Sequence, residues 1–207
     1  MILTIPVGPL GTNTYIWYDN TSRKGIIIDP GAEAKRILAE VAAKKFDIQA
    51  ILLTHGHFDH IAAAEEVRNA LGVPVYAHKK EAALISDSAL NGTGLFRMKP
   101  IAVTIDNFLT EENELDFGCG KIHVLHTPGH TLGSVCLHIP EDDVLFAGDT
   151  LFKESYGRYD LPTGDFSALK VSLNRLFTLP EDTMVYPGHG SATTIGHEKC
   201  NNLIMRT

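Results

Sequence analysis

Seven side chains of the kind that bind metals stand at four places in the chain, and each place comes just after a short apolar run. The densest is Thr54-His55-Gly56-His57-Phe58-Asp59-His60, which packs three imidazoles and a carboxylate into one loop. Before it, residues 47–53 include Ile48, Ile51, Leu52 and Leu53 and read as a buried strand. After it, residues 61–71 place Ile61, Ala64, Val67 and Leu71 on one face of a helix. The ligand-bearing loop therefore joins a strand to a helix. Alternate residues of an extended segment point the same way, so His55 and His57 can share one ion while Asp59 and His60, past the bend, aim at a second.

The arrangement recurs downstream. Thr127-Pro128-Gly129-His130 follows the strand-like residues 121–126, and its Pro and Gly turn the chain to present His130 at a strand end. Residues 144–147 are an apolar strand running into Gly148-Asp149, and residues 184–186 run into Pro187-Gly188-His189. Each motif is weak alone. Together they put His55, His57, Asp59, His60, His130, Asp149 and His189 on loops that follow strands, which a histidine tract that scavenges metal would not do.

In this order, the His-x-His-x-Asp-His run, the His130 turn, Gly148-Asp149 and Gly188-His189-Gly190 resemble the metallo-β-lactamase superfamily and, within it, the glyoxalase II-like hydrolases. The resemblance covers nearly the whole chain. It implies an α/β fold, a four-layer αββα sandwich with the metals at one edge between two sheets. It also implies that His55, His57 and His130 hold a first metal, that Asp59, His60 and His189 hold a second, and that Asp149 bridges them. Leu132 stands where many relatives have Pro, and His197 where they often have a carboxylate, but neither is a ligand position. The sequence stops soon after Gly190, so one domain over 1–207 is expected, without the helical domain of longer glyoxalase II enzymes.

At 207 residues and 44% apolar composition, one sizeable core can serve two sheets and their helices. No apolar run approaches the ~18 residues of a membrane span, and the N-terminus lacks a basic region before an apolar core. Cys119, Cys136 and Cys200 have no Cys-x-x-Cys spacing and fit free thiols. A soluble, cytoplasmic protein with no membrane partner is the expectation. With 18 basic against 25 acidic residues and no Lys/Arg cluster, a nucleic-acid partner is disfavoured.

Further elements are expected as strands at 2–7, 14–18, 25–29, 73–76, 101–103, 114–117, 121–126, 134–139 and 144–147. Helices are expected at 33–45 and 79–85, and from the N-cap Asp165 to Phe177. Residues 86–100 read as an irregular loop that overhangs the site.

Imidazole and carboxylate ligands suit two divalent metal ions, zinc first, with iron or manganese compatible. Two metals about 3.5–4 Å apart bring a bound water near neutral pKa and so supply a nucleophile without Ser or Cys. No Gly-x-Ser-x-Gly elbow is present. A thiol of pKa about 8.5 leaves with little proton assistance, whereas an amide nitrogen must be protonated. A thioester or activated ester therefore suits the site, and the glyoxalase II resemblance implies a small-molecule thioester such as S-lactoylglutathione as the leading substrate, with Asp59 orienting the nucleophile or moving its proton. Arg158 lies where the glyoxalase II resemblance places a basic residue that contacts glutathione, although an ion pair with Asp160 would explain it as well. The alternatives are a mononuclear iron persulfide dioxygenase, disfavoured because Tyr156 rather than Cys precedes Gly157, and a lactone or β-lactam hydrolase. A metal-binding module without turnover is a further class. His126, which opens the His-Thr-Pro-Gly-His run, reads as a support for the ligands or a structural residue, His78, His123, His138 and His197 as ordinary core or surface residues, and Asp29 as either an acceptor for a ligating imidazole or a turn residue.

Overall fold

Ile26, Ile27 and Ile28 set the architecture, because consecutive strand residues point to opposite faces and here neither face suits water. The computed structural model describes residues 1–96, 99–111 and 114–206. Its first half runs β1 (Ile2–Val7), β2 (Thr12–Tyr18), β3 (Lys24–Ile28), α1 (Ala34–Lys44), β4 (Asp47–Leu52), α2 (Phe58–Ile61), α3 (Ala64–Leu71), β5 (Val75–His78), α4 (Ala82–Ser86) and β6 (Asn107–Leu109). Its second half runs β7 (Glu114–Asp116), β8 (Lys121–His126), β9 (Val135–Ile139), β10 (Val144–Gly148), β11 (Leu151–Phe152), β12 (Ser155–Tyr156), α5 (Phe166–Leu176), β13 (Met184–Pro187), β14 (Thr193–Thr194) and α6 (Ile195–Asn201).

Two six-stranded sheets result, ordered β1-β2-β3-β4-β5-β6 and β14-β13-β10-β9-β8-β7. The first begins as an antiparallel meander and turns parallel from β3 onward, as chain crossovers require. Three apolar clusters then define the layers. Ile27, Ile51 and Leu53 pack with Ile37 and Val41 of α1 and Val67 of α3. Ile26, Ile28, Ala50 and Leu52 face Val124, Val135, Leu137 and Phe146 across the gap between the sheets. Cys136, Leu145 and Ala147 cover Leu169, Leu173 and Leu176 of α5. Both sheets thus bury both faces, and the layers are α, β, β, α.

Several boundaries differ from expectation. The helix expected over 61–71 is two: α2, which carries Asp59 and His60, and α3. No strand forms at 101–103. Ile101 and Val103 cover the outer cluster from a loop, and pairing with β5 starts only after Asp106, whose carboxylate accepts Val75 N at 2.8 Å. Within 86–100, Thr93–Phe96 forms a short 3-10 helix, while residues 97 and 98 lie outside the described residues. Asp165 caps α5 as expected, accepting Ala168 N at 3.0 Å. The three cysteines are free. Among the described residues no helix is long and apolar enough to cross a membrane.

Candidate metal centre

The loops after β4, β8, β10 and β13 meet, and they bring all seven expected ligands together. His57 Nδ1 lies 2.9 Å from His130 Nε2, and His55 Nε2 lies 3.3 Å from that same atom. Beside this triad, His189 Nε2 lies 3.1 Å from Asp59 Oδ2 and 3.3 Å from His60 Nε2. Within each triad the donor atoms fall within 4.8 Å of one another. Asp149 stands between the two groups, with Oδ1 at 3.3 Å from His60 Nε2 and Oδ2 at 3.7 Å from His130 Nε2. Gly188 permits this crowding, since a Cβ there would lie 2.1 Å from Asp149 Oδ1.

The far nitrogens of the imidazoles decide what the near ones can do. His130 Nδ1 faces Arg158 O at 2.7 Å and His189 Nδ1 faces Leu10 O at 3.2 Å. Carbonyls only accept, so both Nδ1 atoms carry hydrogen. His60 Nδ1 donates to Asp29 Oδ2 at 2.9 Å. Thr54 Oγ1 gives its hydrogen to Asp29 Oδ2 at 2.5 Å, and so accepts from His55 Nδ1 at 3.1 Å. Four Nε2 atoms are thereby left to face the cluster, the pattern by which outer acceptors orient metal-binding imidazoles. His57 instead presents Nδ1, and its Nε2 is buried without a hydrogen-bond partner, as is Asp149 Oδ1.

Charge divides the site. Burial pushes His55, His57 and His130 below the ordinary imidazole range, His57 to about 3, so these three are neutral with lone pairs converging. Burial also opposes charge on His60, but Asp149 and Asp59 outweigh it and hold that imidazole well above its usual value. His189 is likewise raised, its hydrogen bond to Asp59 and the charge of Asp149 overcoming burial. Burial acts to raise Asp59 and Asp149, yet the His60 charge keeps both below the usual carboxylate range. The raised proton affinity of His60 and His189 marks where the carboxylates attract positive charge, and a divalent ion would compete with protons for the same place. The donor set fits zinc, iron or manganese.

Asp29 resolves as an orienting acceptor. Although one of its oxygens lies near His55 and His60, it bonds His60 on the nitrogen turned away from the cluster, and its other oxygen accepts Thr54 N at 2.7 Å. Thr12 Oγ1 donates to Asp59 Oδ2 at 2.9 Å. Buried Glu81 accepts Gly56 N at 2.8 Å and Gly133 N at 2.6 Å, joining the two loops of the first triad. Sequence reasoning missed Leu10, Thr12, Thr54 and Glu81 as supports. A threonine beside a histidine is a faint signal, whereas a single acid between two lysines and two alanines gives none. Arg158 borders the site cavity, but its side chain is 60% exposed and pairs with Asp160 at 2.7 and 2.9 Å. The remaining histidines stay outside the cluster: His78 stacks on His126, His123 lies near Glu114 and His138, and His197 bonds Glu154.

The model of the metallo-β-lactamase superfamily matches residues 7–189. The chain is 38% identical to probable metallo-hydrolase YqgX of Bacillus subtilis, over 96% of this chain and 94% of that one. It is 35% identical to hydroxyacylglutathione hydrolase GloC of Haemophilus influenzae, over 98% and 97%. Among solved structures it resembles the B3 metallo-β-lactamase BLEG-1 (TM-score 0.95, 41% identity, 100% of both chains). TTHA1623 in a di-iron-bound form is similar (0.87, 39%, 97% and 98%), as is ETHE1 from Myxococcus xanthus (0.82, 30%, 98% and 83%). The chain belongs to the metallo-β-lactamase superfamily. Within it, the relatives mark it as a metal-dependent hydrolase.

Proposed function

We propose that the chain is a thioesterase of the glyoxalase II type, using two divalent ions held by the His55, His57, His130 group and the Asp59, His60, His189 group, with Asp149 shared. The observation that carries this reading is the cavity's inventory of proton donors. Of the side chains lining it, the titratable ones belong to the metal cluster except for Arg158, whose guanidinium does not release a proton at neutral pH. No independent general acid faces a leaving group among the described residues, so a leaving group that departs as an anion suits the site. A thiolate, with thiol pKa about 8.5, does so; an amine does not.

When bound, the metal pair supplies a nucleophile of hydroxide strength near neutral pH and polarises the carbonyl. Asp59, held ionised and fixed by Thr12, accepts the proton or orients the attacking water. Hydrolysis forms a C–O bond from water and breaks the C–S bond, and the electron pair leaves with the thiolate. The identity to GloC supports a glutathione thioester. The likeness to BLEG-1 favours a second reading, β-lactam hydrolysis.

The test is thiol release from S-lactoylglutathione by protein loaded separately with zinc, iron and manganese, beside ring opening of a cephalosporin and oxygen uptake with glutathione persulfide. Thiol release that is lost, together with metal content, in His57→Ala and Asp149→Ala is expected. Activity confined to the cephalosporin, or oxygen uptake with iron alone, would replace the proposal.

A further inference from the structure

We infer that Thr163 is a positioning residue of the first metal-binding triad, through a hydrogen bond that keeps the orienting carbonyl of His130 in place. Residues 158–164 form an irregular segment between Gly157 and Asp165, the N-cap of α5. The segment supplies Arg158 O, which faces His130 Nδ1 at 2.7 Å, and the side chains of Arg158 and Leu161 in the cavity wall. Among the described residues, the hydrogen bonds that tie it to the rest of the chain are two. One is the bond from His130 to Arg158 O itself. The other runs from Leu132 N to Thr163 Oγ1 at 3.3 Å. Both start on the turn that carries His130, so without Thr163 the carbonyl would rest only on the imidazole it orients.

The residue type at 163 is explained by its hydroxyl and by nothing else around it. Its backbone is left-handed, with φ 71°, a conformation that Gly or Asn adopts readily and a β-branched residue only under strain. The residue is exposed and joins no apolar cluster, so packing does not select it. Leu132 is its counterpart. Its side chain is 49% exposed, while its backbone N bonds Thr163 and its O accepts His126 Nε2 at 3.0 Å. The N–H groups on either side are taken, Thr131 N by Ser134 Oγ at 3.2 Å and Gly133 N by Glu81 Oε1 at 2.6 Å. Gly164 N closes onto Leu161 O at 2.9 Å, so the strained turn also fixes where Leu161 stands. None of this depends on which substrate the centre takes.

The experiment titrates cobalt into metal-stripped Thr163→Val, Thr163→Ser and Leu132→Pro proteins and follows the visible absorption of the bound ions. Valine keeps the branched shape and the strain without the acceptor, serine keeps the acceptor, and proline removes the donor on the other side. Thr163→Val should weaken the triad ion by about three- to tenfold, less than the roughly 10- to 100-fold that follows loss of a direct partner of a ligand. The ion of the Asp59, His60 and His189 group should change less. Thr163→Ser should restore parental binding, which a role for the branched methyl would not allow. Leu132→Pro should match Thr163→Val, and combining the two should weaken the ion no further, because both remove one bond. If Leu132→Pro does not fold, the valine and serine variants decide. Parental cobalt binding by Thr163→Val, equal weakening of both ions, or failure of serine to restore the triad overturns the inference.

Discussion

Replacing Glu81 should separate folding from metal binding in a way that no ligand substitution can. The residue is 1% exposed, burial pushes its carboxyl above the ordinary range, and its two oxygens accept Gly56 N at 2.8 Å and Gly133 N at 2.6 Å. Gly56 lies between His55 and His57, and Gly133 follows His130 closely, so one side chain sets the spacing of the first triad. A Cβ at Gly133 would come within 2.8 Å of Glu81 Cγ, which shows how closely that loop is drawn in. Each hydrogen bond to a charged group contributes about 1.5–3 kcal/mol. Glu81→Ala therefore costs about 3–6 kcal/mol, against a total stability of about 5–15 kcal/mol. Glu81→Gln keeps the shape and one acceptor but turns an amide NH2 toward the second N–H, for a loss of about 1–3 kcal/mol in a protein that still folds. Urea unfolding of the metal-stripped proteins measures that loss. Cobalt titration followed by visible absorption then reads the two groups, and Glu81→Gln should weaken the triad ion about tenfold or more. The Asp59, His60 and His189 group, which Asp29 and Thr12 support, should change less. An unchanged urea midpoint would refute the hydrogen-bond argument, and reduced stability with unchanged cobalt binding would refute the spacing argument.

Asp29→Asn removes an acceptor shared by His60 and Thr54, and should weaken the second metal by about 10- to 100-fold in chelator competition; unchanged affinity would mean that Asp29 orients nothing. Arg158→Ala should raise KM for a glutathione thioester by about two- to fivefold, the scale of one exposed ion pair, with kcat and melting temperature unchanged. An unchanged KM would leave Arg158 as a brace for Asp160. In the metal-free protein the depressed carboxylates Asp59 and Asp149 make stability rise with pH up to about 3.9, the depressed imidazoles His55, His57 and His130 make it rise on to about 6.5, and the raised His60 and His189 make it fall beyond about 6.5. Melting temperature should therefore peak near that pH and lose its alkaline decline with zinc; a metal-free protein that grows steadily more stable to pH 9 would contradict a proton on His60.

The layers were legible because alternation is a local signal: Leu145 and Phe146 announce two buried faces before any partner is known. The ligands were legible because imidazoles and carboxylates at strand ends are chemically conspicuous. Their supports were not. The acceptor for His189 is the carbonyl of Leu10, and every residue has a carbonyl, so nothing in the letter at position 10 reveals it. Glu81 acts through two glycines at distant positions, a relation that exists only after folding. The strand expected at 101–103 fails for the same reason, since Ile101 and Val103 are apolar enough for a strand but lie where a loop covers the core.

The supports also show where the site is assembled. Leu10 and Thr12 belong to the hairpin of the first sheet, yet they fix His189, which follows a strand of the second, and Asp59 beside it. The same hairpin grips the His189 loop through Asn13 N to Gly188 O at 2.7 Å and Tyr15 OH to Pro187 O at 2.6 Å. His130 of the second half meets His57 of the first at 2.9 Å, and Asp149 of the second half meets His60 of the first. The cluster therefore spans the seam between the sheets, and its like-charged or lone-pair-bearing groups repel until a cation joins them. Whatever binds there binds the docked arrangement and not the separated halves, so the affinity of the ions adds to the free energy that holds the two sheets together.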